Sequence, residues 1–278
     1  MITPTRGLAE ALWRGLSGTR FPLFGGKVPN SAILRGMLHV LPFDGMAAGG
    51  ARKDNKKMID SPNQASLRDA ALFHLAFFAL ALPLTLSLQG HNLGRALIWL
   101  AALYNLALPL AARWRRHPQW YVLWTFLLPL SLTLPAADWL LVKRMGTLVF
   151  PNYGVPKLAN VVPVYFAGMW IMLLWPISLY AAAVKRGWSY LFAGVAGLLL
   201  FLLWEWAARP LNLWYAQDVN MVGGFALYPL IPEALLAVAA LWMWRVTAEA
   251  PRWQKIAGAL TVTVFYAGAL SLFLLWIK

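Results

Sequence analysis

Three acidic residues lie within long apolar runs of the sequence, where ionised side chains are rare. They are Asp138, Glu205 and Glu233. A carboxylate at the centre of a membrane-spanning helix costs about 2.5–3.5 kcal/mol on insertion scales, so an acid at such a position is a candidate for function. The chemistry open to it is proton transfer to a bound substrate, or a proton relay. We take these three residues as the catalytic candidates.

The predicted helices place the three acids in the outer half or the middle of a membrane. At a rise of about 1.5 Å per residue, Asp138 and Glu205 are expected roughly 5–6 Å inside the outer ends of their helices, and Glu233 about 16 Å deep. This distribution predicts one polar cavity that opens towards the outer loops. Glu205 is the first candidate for the proton donor, because Trp204 and Trp206 flank it.

Tryptophans near these acids have two interpretations. Near helix ends they are typical of an interfacial aromatic belt, which we favour for Trp120, Trp214 and Trp244. For those that adjoin the acids, lining of the cavity is as plausible as the belt. We retain them as substrate-binding candidates: Trp139, Trp204 and Trp206.

Basic residues near the acids offer a purely structural alternative. Arg209 stands four residues after Glu205 on one predicted helix, so the two can form an ion pair. Arg209 could instead bind an anionic group of a substrate. Asp138 has the same ambiguity, because Lys143 and Arg144 follow it.

Glu233 has no charged neighbour in the sequence. It follows Pro229 and Pro232, which are expected to kink the helix and to free backbone carbonyl groups. A protonated Glu233 that donates to one of these carbonyls would be a neutral, purely structural residue.

Two loops between predicted helices are rich in proline, asparagine and aromatic residues. The first contains the stretch from Phe150 to Pro156, and the second runs from Arg209 to Asp218. Such long apolar loops tend to fold onto the bundle, so we predict that they form a lid over the cavity. Their side chains supply further substrate-binding candidates: Tyr153, Arg209 and Asp218.

Long apolar blocks dominate the chain and form the elements that carry these residues. Of its 278 residues, 60% are hydrophobic and only 12% are charged, which is unusual for a soluble domain. The blocks are about twenty residues long, enough to cross a bilayer as helices, and none alternates as a barrel strand does. We predict an all-α bundle of about seven transmembrane helices, at 71–89, 93–112, 120–142, 162–184, 189–208, 222–243 and 257–277.

Lysine and arginine fall mainly on one side of these helices, which predicts the orientation. Most of the 24 basic residues are cytoplasmic if the N-terminus is inside, and the C-terminus is then external. We expect an integral protein of the bacterial cytoplasmic (inner) membrane. Its net charge of +14 fits contact with anionic lipid headgroups, since no nucleic-acid-binding motif accompanies it.

The part of the chain before the first helix is basic and has two amphipathic stretches. We predict a cytoplasmic segment over residues 1–70, followed by the transmembrane domain over 71–278. Residues 6–16 and 30–41 each have an apolar face that is too short to span, so we predict two interfacial helices. The alternative is that they dock a partner subunit. The stretch Ser66-Leu-Arg-Asp69 resembles an N-terminal cap of the first spanning helix.

The sequence contains no motif for a cofactor, a phosphate group or a metal ion. It has no cysteine, and its four histidines are scattered along the chain, so we predict no metal site and no cofactor.

Seven helices without a metal motif, with acids in aromatic settings, resemble the integral-membrane terpenoid cyclases and the related carotenoid-modifying membrane enzymes. The resemblance rests on Trp204-Glu205-Trp206, Asp138-Trp139 and Pro232-Glu233, and covers residues 70–278. It implies a hydrophobic isoprenoid that enters from the bilayer and a desolvated carboxylic acid that donates its proton to an epoxide or alkene. Aromatic faces would stabilise the resulting carbocation.

Two other classes of function compete with this one. A non-catalytic subunit or assembly factor of a larger membrane complex would hold its acids in ion pairs. It would use small residues such as Ala193 and Gly197 to pack helices of this chain or of a partner. A proton-coupled carrier would use the acids as a relay, but the sequence lacks the internal repeat of such carriers.

Overall fold

The chain is described here from a computed structural model, which covers residues 62–277. Seven of its helical segments are long and apolar enough to cross a membrane, which agrees with the predicted all-α class. The interfacial helices predicted at 6–16 and 30–41 lie outside the described residues.

The described part of the chain contains eight α-helices and six short strands. The helices are α1 Gln64–Ser87, α2 Gly90–Trp114, α3 Pro118–Thr133, α4 Pro135–Leu140, α5 Phe166–Ala183, α6 Arg186–Ala208, α7 Leu230–Thr247 and α8 Arg252–Ile277. Short strands lie between them: β1 Leu148–Val149, β2 Lys157–Leu158, β3 Val162–Pro163, β4 Tyr215–Ala216, β5 Met221–Val222 and β6 Phe225–Ala226.

The first helix begins slightly earlier than its sequence pattern suggests. The side-chain oxygen of Asn63 accepts a hydrogen bond of 2.8 Å from the backbone N–H of Ser66, which caps α1. Ser66 therefore lies inside the first turn instead of capping it. Asp69, one turn further, is buried at this end of the bundle, where it accepts hydrogen bonds from Arg115 and His117.

The third spanning segment is built from three pieces that form one helical rod. Pro135 starts α4 directly after α3, and a turn of π-helix over Leu141–Met145 ends the rod at Gly146, whose φ is 67°. The left-handed conformation of Gly146 reverses the chain towards β1 without strain, as glycine has no Cβ. This break positions α4, and with it Asp138, beside the loops.

The sixth spanning helix differs from its prediction. The sequence predicted a helix over 222–243, whereas β5 and β6 form a hairpin and α7 begins only at Leu230. Gly223 and Gly224, with φ of 58° and 80°, make the two-residue turn of that hairpin, a conformation that no helix contains. The apolar composition of this stretch conceals the turn, because a hydrophobic window does not distinguish an apolar hairpin from a helix.

The prolines of this region start a helix and do not kink it, contrary to the prediction. Pro229 is the N-cap residue of α7, and its carbonyl oxygen accepts a hydrogen bond of 2.9 Å from the backbone N–H of Glu233. Pro232 lies in the first turn, where backbone N–H groups have no intrahelical partner. Its lack of an N–H therefore costs no helical hydrogen bond. Glu233 thus lies about 5 Å from the start of the helix, much nearer to the loops than predicted.

The helix α5 lies at the centre of the bundle and is the most deeply buried of the seven spanning segments. It packs against α3, α6 and α7 and touches α1 and α2. The remaining spanning segments surround it in the order α1, α2, α3, α8, α7 and α6. α1 packs mainly on α2, so the side of the bundle between α1 and α6 is the least closely packed.

Contact between α6 and α7 is unusually close. A Cβ atom added at Gly197 would stand 2.7 Å from the Cβ of Ala237, and Ala193, one turn away, is fully buried. The two small residues of α6 therefore pack within this chain. The sequence analysis left open whether they contact helices of this chain or of a partner, and the structure shows the first.

Both loops fold back on the same end of the bundle, as the sequence predicted. Strand β1 of the first loop pairs with β4 of the second, and Phe150 and Val155 are buried. The Tyr153 hydroxyl donates to the carbonyl oxygens of Leu211 and Asn212, at 2.7 and 2.9 Å, which ties the loops together a second time. Together they close this end of the bundle.

Candidate functional site

The three acids of the sequence analysis meet in one cavity beneath the paired loops. Asp138 comes from α4, Glu205 from the last turn and a half of α6, and Glu233 from the first turn of α7. The cavity has a volume of about 150 Å³, and we call it the acid cavity. Residues separated by up to 95 positions in the sequence thus form one site, because α4, α6 and α7 each have one end near the loops.

Aromatic side chains make up nearly half of the remaining lining residues. They come from both loops and from three helices: Phe150, Phe166, Trp170, Phe201, Trp204, Trp214, Tyr215, Tyr228 and Tyr266. Their rings interlock, since Trp170 packs edge-on against Tyr266 with centroids 5.7 Å apart and Phe166 packs edge-on against Trp214 at 5.4 Å. Such a wall presents several ring faces to whatever the cavity holds.

Two of the carboxyl groups have an oxygen without a hydrogen-bond partner. Asp138 and Glu233 are only 5% and 6% exposed, and Asp138 Oδ2 and Glu233 Oε2 have no partner within residues 62–277. A buried polar atom without a partner costs about 1–3 kcal/mol, so its retention calls for an explanation. A bound polar or reactive group of a ligand would supply the missing partner.

Glu205 is held differently from the other two acids. Its Oε1 accepts a hydrogen bond of 2.9 Å from the indole N–H of Trp214, which belongs to the second loop. This bond fixes the Glu205 side chain beneath the loop. It also gives Trp214 a role at the site, although the sequence analysis assigned that residue to the interfacial belt.

Arg209 does not pair with Glu205. Its guanidinium donates a hydrogen bond of 2.9 Å to the carbonyl oxygen of Gly223 and stands 3.8 Å from the ring centroid of Phe225. In the part of the chain that the structure describes, the ion pairs involve Asp69 and none of the cavity acids. The structure therefore does not support the ion-pair interpretation of Glu205.

The other predicted pairing, between Asp138 and the basic residues that follow it, is also missing from residues 62–277. Arg144 lies instead over the ring of Trp139, with its guanidinium carbon 5.8 Å from the centroid. Trp139 consequently packs beside the cavity without lining it.

The predicted substrate-binding residues divide into two groups. Trp204 and Arg209 line the acid cavity. Trp206 is 63% exposed and points away from it, and Asp218 is exposed in the second loop. Tyr153 lies outside the cavity, where its hydroxyl links the two loops.

Sequence reasoning missed several aromatic residues of the site. Trp170 from α5 and Tyr266 from α8 lie on helices without an acid, so no local pattern marks them. Tyr228, just before α7, was also missed; burial raises the pKa of its hydroxyl to about 12, so it remains a protonated hydrogen-bond donor. Its hydroxyl lies 3.3 Å from that of Thr147.

Residues 62–277 contain no group of three histidine, cysteine or acidic side chains arranged to hold a metal ion. In comparison with known proteins, residues 135–277 match a protein family described as "Domain of unknown function (DUF6989)". The matched part is just over half of the chain and extends from α4 to α8, which includes all three cavity acids. No curated protein and no solved structure matches the chain.

Proposed function

The chain belongs to the DUF6989 family, and we propose that it is a membrane-embedded enzyme that acts on a lipid-soluble isoprenoid by proton transfer from carboxylic acids. One observation carries the proposal: three carboxyl groups from three helices meet in one aromatic-walled cavity, and two of them have buried oxygens without a partner. A subunit with a purely structural role would be expected to hold its acids in ion pairs, and none of the three forms one within residues 62–277.

A membrane location is supported by the outer surface of the helices. Leucine and other large apolar residues are exposed along them, such as Leu75, Leu106 and Leu275. Water would disfavour such a surface, whereas hydrocarbon chains of a bilayer would solvate it. We propose that all seven spanning segments cross the cytoplasmic membrane of a bacterium and that the loops covering the acid cavity face outward.

The proposed orientation predicts the side of each loop. Reporter fusions at the N-terminus and near Arg115, Arg186 and Arg252 should report the cytoplasm, and a fusion near Asn152 should report the exterior. Because Asn152 lies in the loop that covers the acid cavity, a cytoplasmic signal there would place the cavity at the opposite face. That result would refute the proposed orientation.

The proposed chemistry begins with a shared proton. Three carboxyl groups around one apolar space cannot all be ionised without strong repulsion, so at least one retains its proton. That acid protonates an alkene, whose π electrons form the new C–H bond and leave a carbocation, or an epoxide oxygen, whose C–O bond breaks to leave an alcohol and a carbocation. Ring faces such as those of Trp170 and Tyr266 stabilise the cation. In cyclisation, an internal alkene then closes a ring and an adjacent C–H gives its proton back to the carboxylate, so no other reactant is consumed. In hydration, a water molecule adds to the cation instead and gives one proton back to the carboxylate.

The hydrogen bonds of the site suggest how the acids divide this task. Asp138 Oδ2 and Glu233 Oε2 have no hydrogen-bond partner in the described residues, while one oxygen of Glu205 accepts from Trp214. We therefore propose Asp138 and Glu233 as proton donors, with Glu205 as the carboxylate that holds or receives a proton. The earlier preference for Glu205 rested on its tryptophan neighbours, and one of these, Trp206, faces away.

The direct test is an assay for product. The protein, purified in lipid nanodiscs, is incubated with acyclic isoprenoids and with their epoxides, and the products are separated by mass spectrometry. We expect a product of unchanged mass for cyclisation, or one heavier by a water molecule for hydration. If none of these substrates is converted, the non-catalytic subunit becomes the better proposal.

A further inference from the structure

Two further recesses lie between α1 and α6, on the loosely packed side of the bundle. The larger, of about 320 Å³, is bounded by α1, α5 and α6 and includes His74, Tyr180 and Leu203. The smaller, of about 60 Å³, lies nearer the loops and includes Ala81, Thr85 and Ala207. We call the two recesses together the α1–α6 groove.

The groove adjoins the acid cavity. Phe78, Leu82 and Met172 line both recesses, while Met169 and Ala208 line both the smaller recess and the acid cavity. Trp204 lines all three spaces. Its indole ring is therefore the shared wall between the groove and the three acids, and it comes from the helix that also carries Glu205.

The groove offers mainly hydrocarbon contacts. No charged residue lines either recess. The Thr85 hydroxyl donates to the carbonyl oxygen of Ala81, and the Tyr180 hydroxyl donates to that of Leu67, both at 2.9 Å. His74 is bonded at both ring nitrogens, 2.8 Å from the Ala70 carbonyl oxygen and 2.8 Å from the Tyr104 hydroxyl.

The outer edge of the groove is open at the surface that we assign to the membrane. Leu82 of α1 is 44% exposed and Leu203 of α6 is 55% exposed. A hydrocarbon chain in the bilayer can therefore reach the groove without crossing a polar surface. The smaller recess is the narrow part of the route, and its volume suits a single chain better than a fused ring system.

We propose that the α1–α6 groove is the lateral path by which an acyclic isoprenoid chain reaches the acid cavity from the bilayer, with Trp204 at the junction. This inference rests on the proposed function and narrows its substrate class to linear chains. The reactive end lies among Asp138, Glu205 and Glu233, and the rest of the chain lies along α1 and α6. A preformed polycyclic lipid is excluded by the narrow recess.

Photo-crosslinking tests the path independently of catalysis. The probe is an acyclic fifteen-carbon isoprenoid alcohol with a diazirine at the end remote from the hydroxyl, added to the full-length protein in nanodiscs. Crosslinked peptides are identified by mass spectrometry. We expect labelling to concentrate on the groove faces of α1 and α6, around Phe78 and Leu203.

Two variants of α1 provide a matched comparison. Leu82→Trp fills the groove, whereas Leu80→Trp places the same side chain at a position that is 58% exposed and lines neither recess. Groove labelling should fall at least five-fold in Leu82→Trp and stay unchanged in Leu80→Trp. An excess of unlabelled acyclic alcohol should compete, and a sterol should not.

The possible results separate the path from the proposed reaction. Labelling spread evenly over all lipid-facing helices, equal labelling in the two variants, or competition by the sterol would each refute the path. Groove labelling without any product would retain the path and refute the enzyme. Product formation that Leu82→Trp and Leu80→Trp affect equally would retain the enzyme and refute the path.

Discussion

Asp138→Asn and Glu233→Gln are each expected to lower product formation by about 10²–10⁴-fold, which is the usual contribution of a general acid. The amides are nearly isosteric with the acids and keep a hydrogen-bonding oxygen, but they have no carboxyl proton to give. Both side chains are buried in the acid cavity without an ion-pair partner in the described part of the chain. Neutral replacements should therefore leave the thermal stability nearly unchanged.

The control for these variants is Asp218→Asn. Asp218 is an exposed acid of the second loop and does not line the cavity, so its replacement should preserve both activity and stability. Thermal unfolding and product formation are measured on the same preparations. Loss of stability in parallel with loss of product in the Asp138 or Glu233 variant would indicate a structural role and would count against proton donation.

Glu205→Gln distinguishes an ion pair between Glu205 and Arg209 from a role of Glu205 in proton transfer. An ion pair with Arg209 would make this variant unstable, because a charge near the membrane would lose its partner. Arg209 is instead bound to the Gly223 carbonyl and the Phe225 ring, and the amide oxygen introduced by the substitution can still accept from Trp214. We expect a stable protein whose activity falls, by less than in the other two variants if Glu205 only holds the proton.

The sequence predicted the composition of the site better than its geometry. Acids in apolar runs are rare enough for each to be a candidate for function, and all three proved to share one cavity. The three acids meet because each lies near the end of its helix at the loops, and a hydropathy profile locates such helix ends. The depth of Glu233 was misjudged, because Gly223 and Gly224 form a hairpin turn inside an equally apolar stretch.

Side-chain direction was the part that the sequence could not supply. Trp204 and Trp206 both adjoin Glu205, yet the first lines the cavity and the second is exposed, because residues two positions apart on a helix point about 200° apart. Trp170 and Tyr266 reach the cavity from helices that only tertiary packing brings there. Asp69 was missed as a buried acid because its partners, Arg115 and His117, lie more than forty residues away in the sequence.

We expect the close contact between Gly197 of α6 and Ala237 of α7 to set the position of Glu233 relative to Glu205. Adding a methyl group at Gly197 tests this contact. Gly197→Ala places a Cβ 2.7 Å from that of Ala237 and 3.6 Å from the carbonyl oxygen of Glu233, so α6 and α7 must separate. We expect a loss of about 1–3 kcal/mol in the free energy of unfolding, as for other overpacked cores. Product formation should fall too, since α6 carries Glu205 and α7 carries Glu233.

Two further variants isolate this contact. Gly268→Ala makes the same change in α8 at a position with no atom within 4 Å of the new Cβ, and it should be neutral or slightly stabilising, because alanine favours a helix by about 1 kcal/mol over glycine. Adding Ala237→Gly to Gly197→Ala transfers the methyl group from α7 to α6 and should restore most of the stability and activity. Equal stability of Gly197→Ala and Gly268→Ala, or no rescue in the double variant, would show that this contact does not hold the two acids in place.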